Sequence, residues 1–431
     1  MTSATRVYRM LQRALRAAGP LASGGTSKVA RGVRGRRDAA RTLTAWGRDA
    51  RDFARPGVWF HAPSVGEGLQ ARAVLEAFRV RRPDLQAAYT HFSPSAETLA
   101  STMPADVATY LPWDLPDEMT PVLHALQPDA VVFTKTEVWP TLAELAEGRG
   151  IPLALVGGAV PPGARRARWP ARALLRPMWA RLSLGCAQTP EDAAGLVTLG
   201  VHPDRVVVTG DPGIDSAAQR ARGADPGAPW LAPFHADPRP TVVAGSTWPA
   251  DDARLLPALG RVRSAVPDVR AVLAPHEPGA EHVRALLARM EADGWTARTL
   301  AAVEEAGTAE GVDVVVVDRV GVLAHLYTVG WVAYVGGGFH DAGLHSVLEP
   351  AAARLPVVFG PRHANARAAG DLLRCGGARE AADAEGLGRV LTEWLTVEDA
   401  RDYAAQQACG YIDGHMGAAE RTAVLLDDLM T

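Results

Sequence analysis

The sequence alternates short apolar runs with segments of helical periodicity, and it does so in two series. The first series lies in residues 56–222 and the second in residues 241–431, with a Pro-, Gly- and Ala-rich segment at 223–240 between them. Alternation of this kind predicts βαβ units, in which helices join parallel strands. We therefore expect an α/β fold of two Rossmann-like domains that face each other across a cleft, with residues 223–240 as the linker.

Ten strands are predicted from the apolar runs that turn residues bound. Those of the first domain are Gly57–His61, Gln86–Thr90, Ala130–Thr134, Pro152–Val156 and Val206–Thr209. Those of the second domain are Thr241–Ala244, Val269–Ala274, Val312–Val317, Trp331–Val335 and Pro356–Phe359. Ligands of such sheets bind at the carboxyl ends of the strands, so functional residues are expected directly after each strand.

Residues 1–55 form a basic arm ahead of an acidic body. The arm holds 13 Lys or Arg and 3 Asp or Glu, a net charge of +10, whereas the rest of the chain has a net charge of −13. Helical spacing is followed by Val7, Met10, Leu11, Ala14, Leu15 and Ala18. This spacing predicts an amphipathic segment of the kind that lies on a membrane interface, although an ordinary surface helix or a solvated leader fits it as well. No apolar run is long enough to span a bilayer, and no signal peptide is recognisable.

Two groups of polar residues follow strands of the first domain. Ser64, Gly66 and Glu67 follow the first strand, and Glu67 lies where a helix should begin. A carboxylate there either stabilises the helix dipole or acts as a general base in a cleft. Lys135 and Glu137 follow a later strand, and Lys135 is one of two lysines in a chain with 43 arginines. This usage favours a role for a compact ammonium group, although a salt bridge accounts for it equally.

Candidate ligand-binding residues follow two strands of the second domain. Ser246 and Thr247 precede a helix start, where N–H groups and hydroxyls bind a phosphate or a ribose, or where Thr247 merely caps the helix. His276 and Glu277 end another strand within the run HEPGA. This order of residues fits no metal signature, so we predict contacts to a ligand and no metal site.

The stretch VGGGFHDAGLHSVLEP, Val335–Pro350, combines a glycine run, a helix start and an acid. Glycines allow a backbone to approach a bulky anion, and the N–H groups of a helix that begins near Val347 would face that anion. Glu349 would accept hydrogen bonds from sugar hydroxyls. Close packing of a helix on a strand is the alternative explanation for the glycines.

In combination these motifs resemble those of the 3-deoxy-D-manno-octulosonic acid (Kdo) transferases, over about residues 57–365. The matching motifs are PSVGE (Pro63–Glu67), KTEVWP (Lys135–Pro140), GDPGID (Gly210–Asp215), AGSTWP (Ala244–Pro249), APHE (Ala274–Glu277) and GGGF…GLHSVLEPA…PVVFGP (Gly336–Pro361). The resemblance implies a GT-B glycosyltransferase that adds Kdo from CMP-Kdo to a lipid A precursor in lipopolysaccharide biosynthesis. It also implies inversion at the anomeric carbon, with no metal or other cofactor.

The resemblance implies a role for each candidate residue. Glu67 would be the general base that deprotonates the acceptor hydroxyl, in an acceptor site that also contains Ser64, Gly66, Lys135 and Glu137. The donor site in the second domain would contain Ser246, Thr247, His276, Glu277, Gly321, Gly337, Gly338, His345, Ser346 and Glu349. The glycines would make room for the phosphate of CMP.

The implied partners are a CMP-sugar donor, a lipid A precursor and the membrane surface, with no nucleic acid. Members of the family usually begin with a membrane-spanning helix, so the basic arm here implies peripheral attachment to the cytoplasmic face of the inner membrane. Three alternatives stay open. They are a GT-B enzyme with another donor such as a UDP-sugar, a nucleotide- or lipid-binding homologue with a decayed transferase site, and an arm that binds nucleic acid.

Overall fold

A computed structural model describes residues 3–22, 24–25 and 27–431 of the chain. The chain divides into two compact units: unit 1 is Met1–Ser216 with Met416–Thr431, and unit 2 is Ala217–His415. Each unit contains one seven-stranded sheet in which all neighbouring strands are parallel. The predicted pair of Rossmann-like α/β domains is therefore confirmed.

The sheet of unit 1 has the order β3-β2-β1-β4-β5-β6-β7. Its strands are β1 (Gly57–His61), β2 (Gln86–His91), β3 (Val107–Tyr110), β4 (Ala130–Thr134), β5 (Leu153–Gly158), β6 (Leu184–Ala187) and β7 (Val206–Val208). The helices of this unit are α1 (Ser3–Ala22), α2 (Lys28–Asp49), α3 (Val65–Arg81), α4 (Glu97–Ala100), α5 (Pro116–Leu126), α6 (Pro140–Glu147), α7 (Ala171–Trp179), α8 (Pro190–Leu199) and, after the second unit, α19 (Ala418–Met430). The boundary between the units falls within α9 (Pro212–Arg222).

The sheet of unit 2 has the order β10-β11-β9-β8-β12-β13-β14. Its strands are β8 (Thr241–Thr247), β9 (Arg270–Pro275), β10 (Ala297–Thr299), β11 (Val314–Val316), β12 (Val332–Val335), β13 (Val357–Phe359) and β14 (Ala378–Glu380). Its helices are α10 (Ala232–Ala236), α11 (Pro249–Ala265), α12 (Ala280–Ala292), α13 (Leu300–Ala306), α14 (Leu323–Leu326), α15 (Leu348–Ala352), α16 (Arg367–Cys375), α17 (Ala384–Thr396) and α18 (Glu398–His415).

The central strands of both sheets are buried on their two faces, and this explains the continuous apolar runs in the sequence. All five residues of β4, Ala-Val-Val-Phe-Thr, are buried. Val131 and Phe133 belong to one apolar cluster of unit 1, while Ala130 and Val132 belong to another. Successive side chains of a strand point to opposite faces, so a strand between two helical layers must be apolar at every position.

The division into units differs from the predicted domain boundaries in two places. The last helix, α19, lies in unit 1, because Ala419, Ala423 and Leu426 pack into the same apolar cluster as strands of that sheet. Asp215 accepts hydrogen bonds from the backbone N–H groups at the start of α19. The predicted linker 223–240 contains α10 and belongs to unit 2, where apolar side chains that it carries are buried in the core.

The first 55 residues contain two helices in unit 1. α2 packs on α5 and contributes Leu43 to the core. α1 exposes the apolar side chains of Val7, Met10, Leu11 and Leu15, in keeping with the predicted amphipathic pattern. Within the part of the chain that the structure describes, no helix has both the length and the hydropathy to cross a membrane.

Candidate active site

The order of the strands indicates where each unit would bind a ligand. In unit 1 the chain passes from β1 to β2 and β3 on one side, and from β4 to β5, β6 and β7 on the other. The loops after β1 and β4 therefore diverge, and a crevice is left at the carboxyl ends of these strands. We call this the unit 1 switch point. The unit 2 switch point, by the same reasoning, lies between β8 and β12.

Glu67 lies in the first turn of α3, directly after β1. Its carboxylate accepts a hydrogen bond from Ser64 Oγ, and its Oε1 lies 3.4 Å from Nζ of Lys135. Gly66 has open space where a Cβ would be, so packing does not require a glycine there. The loops after β1 and β4 thus both contribute a residue that contacts the carboxylate of Glu67. The side chain of Glu67 is 18% exposed.

Lys135 and Glu137 occupy the loop after β4. Lys135 has a φ of +65°, a left-handed conformation that lysine rarely adopts and that costs about 1–3 kcal/mol. Hydrogen bonds from its N–H to Val156 O and from Ala159 N to its carbonyl hold this conformation. Desolvation raises the pKa of Glu137, and the negative charge of Glu67 raises it further. The predicted acceptor residues therefore form one electrostatically linked group.

Tyr89 on β2 also belongs to this group, although the sequence analysis did not select it. Its hydroxyl is buried and has no hydrogen-bond partner among the described residues. It lies beneath the first turn of α3, because a Cβ on Gly68 would be 2.8 Å from this hydroxyl. Burial raises the pKa of Tyr89, and the charge of Glu67 adds to the effect. The signal in the sequence is a single tyrosine within the predicted strand Gln86–Thr90.

His61 and Trp139 join the two sides of the unit 1 switch point. Trp139, at the start of α6, donates its indole N–H to His61 Nε2 at 2.8 Å. The other ring nitrogen, Nδ1, lies 3.0 Å from the hydroxyl of Thr90. Burial lowers the pKa of His61 to about 3, so the imidazole is neutral at physiological pH and accepts the indole proton.

A cavity of about 790 Å³ opens beside these residues, and we call it the unit 1 cavity. It is lined mainly by apolar side chains from the loops after β4 and β5 and from α7. The lining residues are Tyr8, Thr136, Glu137, Val138, Trp139, Pro140, Ala159, Pro161, Ala164, Arg165, Arg166, Ala171, Leu175, Met178 and Trp179. Its volume lies within the range of sites for small organic ligands.

The three glycines after β12 are explained by the backbone of the chain itself. A Cβ on Gly336 would collide with the backbone of Ser246, and one on Gly338 would lie 2.5–2.8 Å from backbone atoms of Gly360. Gly337 has a φ of +93°, which favours glycine. Close approach to the backbone of neighbouring loops, with the positive φ of Gly337, therefore accounts for all three glycines without a ligand, and the contacts are with loops instead of the predicted packing of a helix on a strand. A donor-binding role for Gly337 and Gly338 stays a prediction.

Asp251 fixes this glycine loop from within α11. Its Oδ2 accepts hydrogen bonds from the backbone N–H groups of Trp248 at 2.9 Å and Gly337 at 2.8 Å. Its Oδ1 accepts one from the hydroxyl of Tyr334 at 2.8 Å and a longer one from Phe339 N at 3.4 Å. Asp251 is completely buried, so the N–H of Gly337 is used by the protein itself.

Four aromatic rings converge at the unit 2 switch point. Trp248 stacks on His340 with centroids 4.2 Å apart, and His276 lies 4.6 Å from Trp248 and 4.4 Å from His345. Trp248 donates its indole N–H to His345 Nε2 at 2.9 Å. Burial, and then the neighbouring His276, lower the pKa of His345 to about 4, so this imidazole is also neutral at physiological pH. Such ring faces can stack with a nucleobase.

Backbone geometry connects Ser246 and Thr247 to the same cluster. Ser246 has a φ of +55°, a conformation that interrupts the pairing of β8 with β9. The carbonyl of Thr247 accepts a hydrogen bond from His276 N at 2.9 Å. Burial raises the pKa of the nearby Asp252 to about 6. The structure thus brings together Ser246, Thr247, His276 and His345, as predicted, and adds Trp248, His340 and Asp251.

The remaining predicted donor residues have other surroundings. Glu349, at the start of the five-residue helix α15, pairs with Arg220, whose Nη2 lies 2.5 Å from Oε1. Ser346 accepts a hydrogen bond from Leu348 N. Gly321 has a φ of +93° and lies on the loop after β11, and Glu277 follows β9. Across residues 3–22, 24–25 and 27–431, no group of three or more His, Cys, Asp or Glu side chains could hold a metal ion.

The topology of the two sheets defines a class of fold, the GT-B type with two Rossmann-like domains. Solved structures of similar fold include the UDP-GlcNAc 2-epimerase from Neisseria meningitidis, with a TM-score of 0.58 and 13% identity over 87% of this chain and 99% of that one. The UDP-GlcNAc 2-epimerase from Methanocaldococcus jannaschii is similar too, with a TM-score of 0.57 and 12% identity over 86% and 99%. At such low identity the likeness shows the fold alone.

Sequence comparison identifies the family. The family model of 3-deoxy-D-manno-octulosonic-acid transferases (kdotransferases) matches residues 33–216. The 3-deoxy-D-manno-octulosonic acid transferase of Bordetella pertussis is 31% identical over 388 residues, which cover 86% of this chain and 87% of that one. The enzyme of the same name from Haemophilus influenzae is 27% identical over 308 residues, 70% of each chain. The chain belongs to the 3-deoxy-D-manno-octulosonic acid transferase family and is a glycosyltransferase.

Proposed function

We propose that the enzyme transfers Kdo from CMP-Kdo to a lipid A precursor in lipopolysaccharide biosynthesis, with inversion at the anomeric carbon and without a metal or other cofactor. Family membership supports Kdo as the transferred sugar. The observation that carries the mechanism is the position of Glu67, held by Ser64 and Lys135 at the carboxyl end of β1.

Glu67 acts as the general base. The acceptor hydroxyl gives its proton to the carboxylate of Glu67 while its oxygen attacks the anomeric carbon of Kdo. The bond between this carbon and the phosphate oxygen breaks, and CMP leaves. Ser64 and Lys135 fix the orientation of the carboxylate, and attack from the face opposite to CMP inverts the configuration.

Unit 2 binds the donor through its switch point. The stacked rings of Trp248, His276 and His340 offer flat surfaces to the cytosine base. Ser246 and Thr247 supply hydroxyl and backbone donors to the sugar or the phosphate. Glu349, which pairs with Arg220, accepts a hydrogen bond from a sugar hydroxyl.

Unit 1 binds the acceptor and attaches to the membrane. The exposed apolar side chains of α1 and the positive charge of the first 55 residues support peripheral attachment to the cytoplasmic face of the inner membrane. The unit 1 cavity, beside Glu137 and lined mainly by apolar groups, supports an acylated acceptor.

The test is a transfer assay with labelled CMP-Kdo and a lipid A precursor, in which the number of sugars per product is counted. We expect Glu67→Gln to lower kcat by about 100-fold or more and to leave the Kd for CMP unchanged, since only the proton acceptor is lost. Glu76→Gln is the matched control, because Glu76 lies on the same helix and pairs with Arg72.

Three results would contradict the proposal. Unchanged turnover of Glu67→Gln removes Glu67 from the mechanism. A rise in melting temperature with UDP and none with CMP identifies a different donor. Binding of CMP without transfer to any acylated acceptor indicates a homologue whose transferase site has decayed.

A further inference from the structure

The donor residues predicted from the sequence carry no permanent positive charge. They include Glu277 and Glu349, but neither a lysine nor an arginine. His345 is neutral at physiological pH, because burial lowers its pKa to about 4. CMP-Kdo, by contrast, has two anionic groups, the phosphate of the nucleotide and the carboxylate of the sugar. A site for this donor therefore needs a cation that the sequence analysis did not select.

Arg220 on α9 brings such a cation to the donor site. Its Nη2 lies 2.5 Å from Oε1 of Glu349, and its side chain is 28% exposed. Its Nε is buried and has no hydrogen-bond partner among the described residues. Glu349 therefore does not satisfy all the N–H donors of this guanidinium group, as the partner in a purely structural ion pair would be expected to do.

The pair of Arg220 and Glu349 lies at the unit 2 switch point. Burial raises the pKa of Tyr327, and the nearby charge of Glu349 raises it further. The hydroxyl of Tyr327 in turn occupies the space where a Cβ of Gly245 would be, close to the end of β8. The pair is thus near the carboxyl end of β8, where a ligand of this sheet is expected to bind.

His325 on α14 also lies close to this pair. Burial lowers the pKa of His325, and the positive charge of Arg220 lowers it further against the opposing effect of Glu349. The imidazole is therefore neutral at physiological pH. Of the three side chains, only Arg220 offers a permanent positive charge to an anion.

Neutralisation of Glu349 is the simpler role for Arg220. It leaves the buried Nε without an acceptor and the anionic donor without a cation. The planar guanidinium group has N–H donors on more than one edge, so it can pair with Glu349 and with a second oxyanion at the same time.

We propose that Arg220 binds an oxyanion of the donor, either the phosphate of the nucleotide or the carboxylate of the sugar, beside the sugar hydroxyl that donates to Glu349. The inference rests on the proposed donor site in unit 2 and adds a specificity-determining residue to it. The contact with Glu349, the partial exposure of Arg220 and its unpaired Nε carry the proposal.

The experiment measures the Kd of the full-length enzyme for cytidine, CMP and CMP-Kdo in the absence of an acceptor. Cytidine has neither anionic group, CMP has the phosphate alone, and CMP-Kdo has both. If the phosphate is bound, Arg220→Gln should raise the Kd for CMP and CMP-Kdo about tenfold or more and leave the Kd for cytidine within about threefold. If the carboxylate is bound, only the Kd for CMP-Kdo should rise. Arg220→Lys should have a smaller effect, since it keeps the charge.

The same change in a Glu349→Gln background separates binding of the donor from neutralisation of Glu349. An arginine that only neutralises Glu349 has no role once this carboxylate is gone. We expect Arg220→Gln to weaken binding of CMP-Kdo about tenfold in this background too. An unchanged Kd for CMP-Kdo there would overturn the proposal.

Arg379→Gln is the matched control. Arg379 forms an ion pair with Glu393 on β14, at the far edge of the sheet, so its loss should leave all three Kd values unchanged. Melting temperatures show that each variant is folded. No loss of affinity in Arg220→Gln, or an equal loss for all three ligands, overturns the proposal. Wild-type binding of UDP without CMP contradicts the proposed donor instead, and the comparison of uridine with UDP then decides the role of Arg220.

Discussion

Removal of the Asp251 carboxylate tests whether this buried group holds in place the glycine loop after β12, which we propose as part of the donor site. Three short hydrogen bonds end on it, from Trp248 N, Gly337 N and Tyr334 Oη. Asp251→Ala leaves these buried donors without an acceptor, at about 1–3 kcal/mol each. Allowing for partial relaxation, we expect unit 2 to lose about 4 kcal/mol, a large share of the 5–15 kcal/mol of a typical domain.

Asp251→Asn should have a smaller effect, about 1–2 kcal/mol. One amide oxygen can still accept from the two backbone N–H groups of Trp248 and Gly337, and the hydroxyl of Tyr334 can turn to accept from the amide NH₂. Native-state hydrogen exchange at β8 and β12 measures the opening free energy of unit 2 in the full chain. The exposed Asp268 supplies the control, Asp268→Ala.

The affinity for the donor nucleotide should fall more in Asp251→Ala than in Asp251→Asn, in the same order as the stability. Without the carboxylate the Gly337 loop loses its fixed position, so the Kd for CMP should rise at least tenfold in Asp251→Ala and less in Asp251→Asn. Calorimetry with CMP measures this effect. Wild-type hydrogen-exchange rates in Asp251→Ala would contradict the stabilising role of the carboxylate. Faster exchange in the loop together with wild-type affinity for CMP would contradict the role of this loop in donor binding. If Asp251→Ala does not fold, the exchange rates and CMP affinities of Asp251→Asn and Asp268→Ala are compared instead.

Two further changes test the environment of single residues. Burial holds the pKa of His345 at about 4, below the usual 6.5. The unfolded chain therefore binds the proton more tightly than the folded one, and the stability of unit 2 should fall as the pH drops from 6.5 to 4. His345→Gln should flatten this dependence in hydrogen-exchange or melting data between pH 4.5 and 7.5, and an unchanged slope contradicts it. Ala171→Phe fills part of the unit 1 cavity and should raise the KM for an acylated acceptor but not for a deacylated one. Ala173→Phe, an exposed position on the same helix, should change neither value.

Apart from β7, which was predicted from three valines and lies at an exposed edge, the strands that the sequence predicted are largely buried. β1 and β4 were predicted to the residue, because each contains a continuous apolar run of the kind that a strand between two helical layers requires, which in β1 ends at the buried His61. The four missed strands carry weaker patterns. β10 (Ala-Arg-Thr), β14 (Ala-Arg-Glu) and β3 are edge strands, two of them with charged residues, and β6 contains a glycine.

The candidate site was predictable where a residue follows a strand directly. Glu67, Lys135, Thr247 and His276 were placed in this way, because the carboxyl ends of parallel strands converge. Asp251 was visible only as a helix-start acid, since its role depends on a loop that lies 86 residues later in the chain. The purpose of the glycine run could not be predicted from the sequence. Close approach of a ligand and close approach of the chain's own backbone both require residues without side chains.

Both units use the same device at the switch point. In unit 1 the tryptophan follows β4 and the histidine ends β1, and in unit 2 the tryptophan follows β8 and the histidine lies on the loop after β12. In each, a Trp-Pro pair opens a helix and the indole N–H is donated to a neutral imidazole Nε2. The bond thus spans the two strands whose loops diverge.

This bond has a physical reason in each unit. Side-chain links fix the separation of the diverging loops, and this bond adds to those of Glu67 with Lys135 in unit 1 and of Asp251 in unit 2. A protonated imidazole could not accept the indole proton, and burial prevents protonation by lowering the pKa of both histidines. Trp139→Phe and Trp248→Phe should therefore each loosen the loops of one unit alone. Hydrogen exchange at the loops after β4 and after β12 would show this selectivity, and equal changes in both units would contradict it.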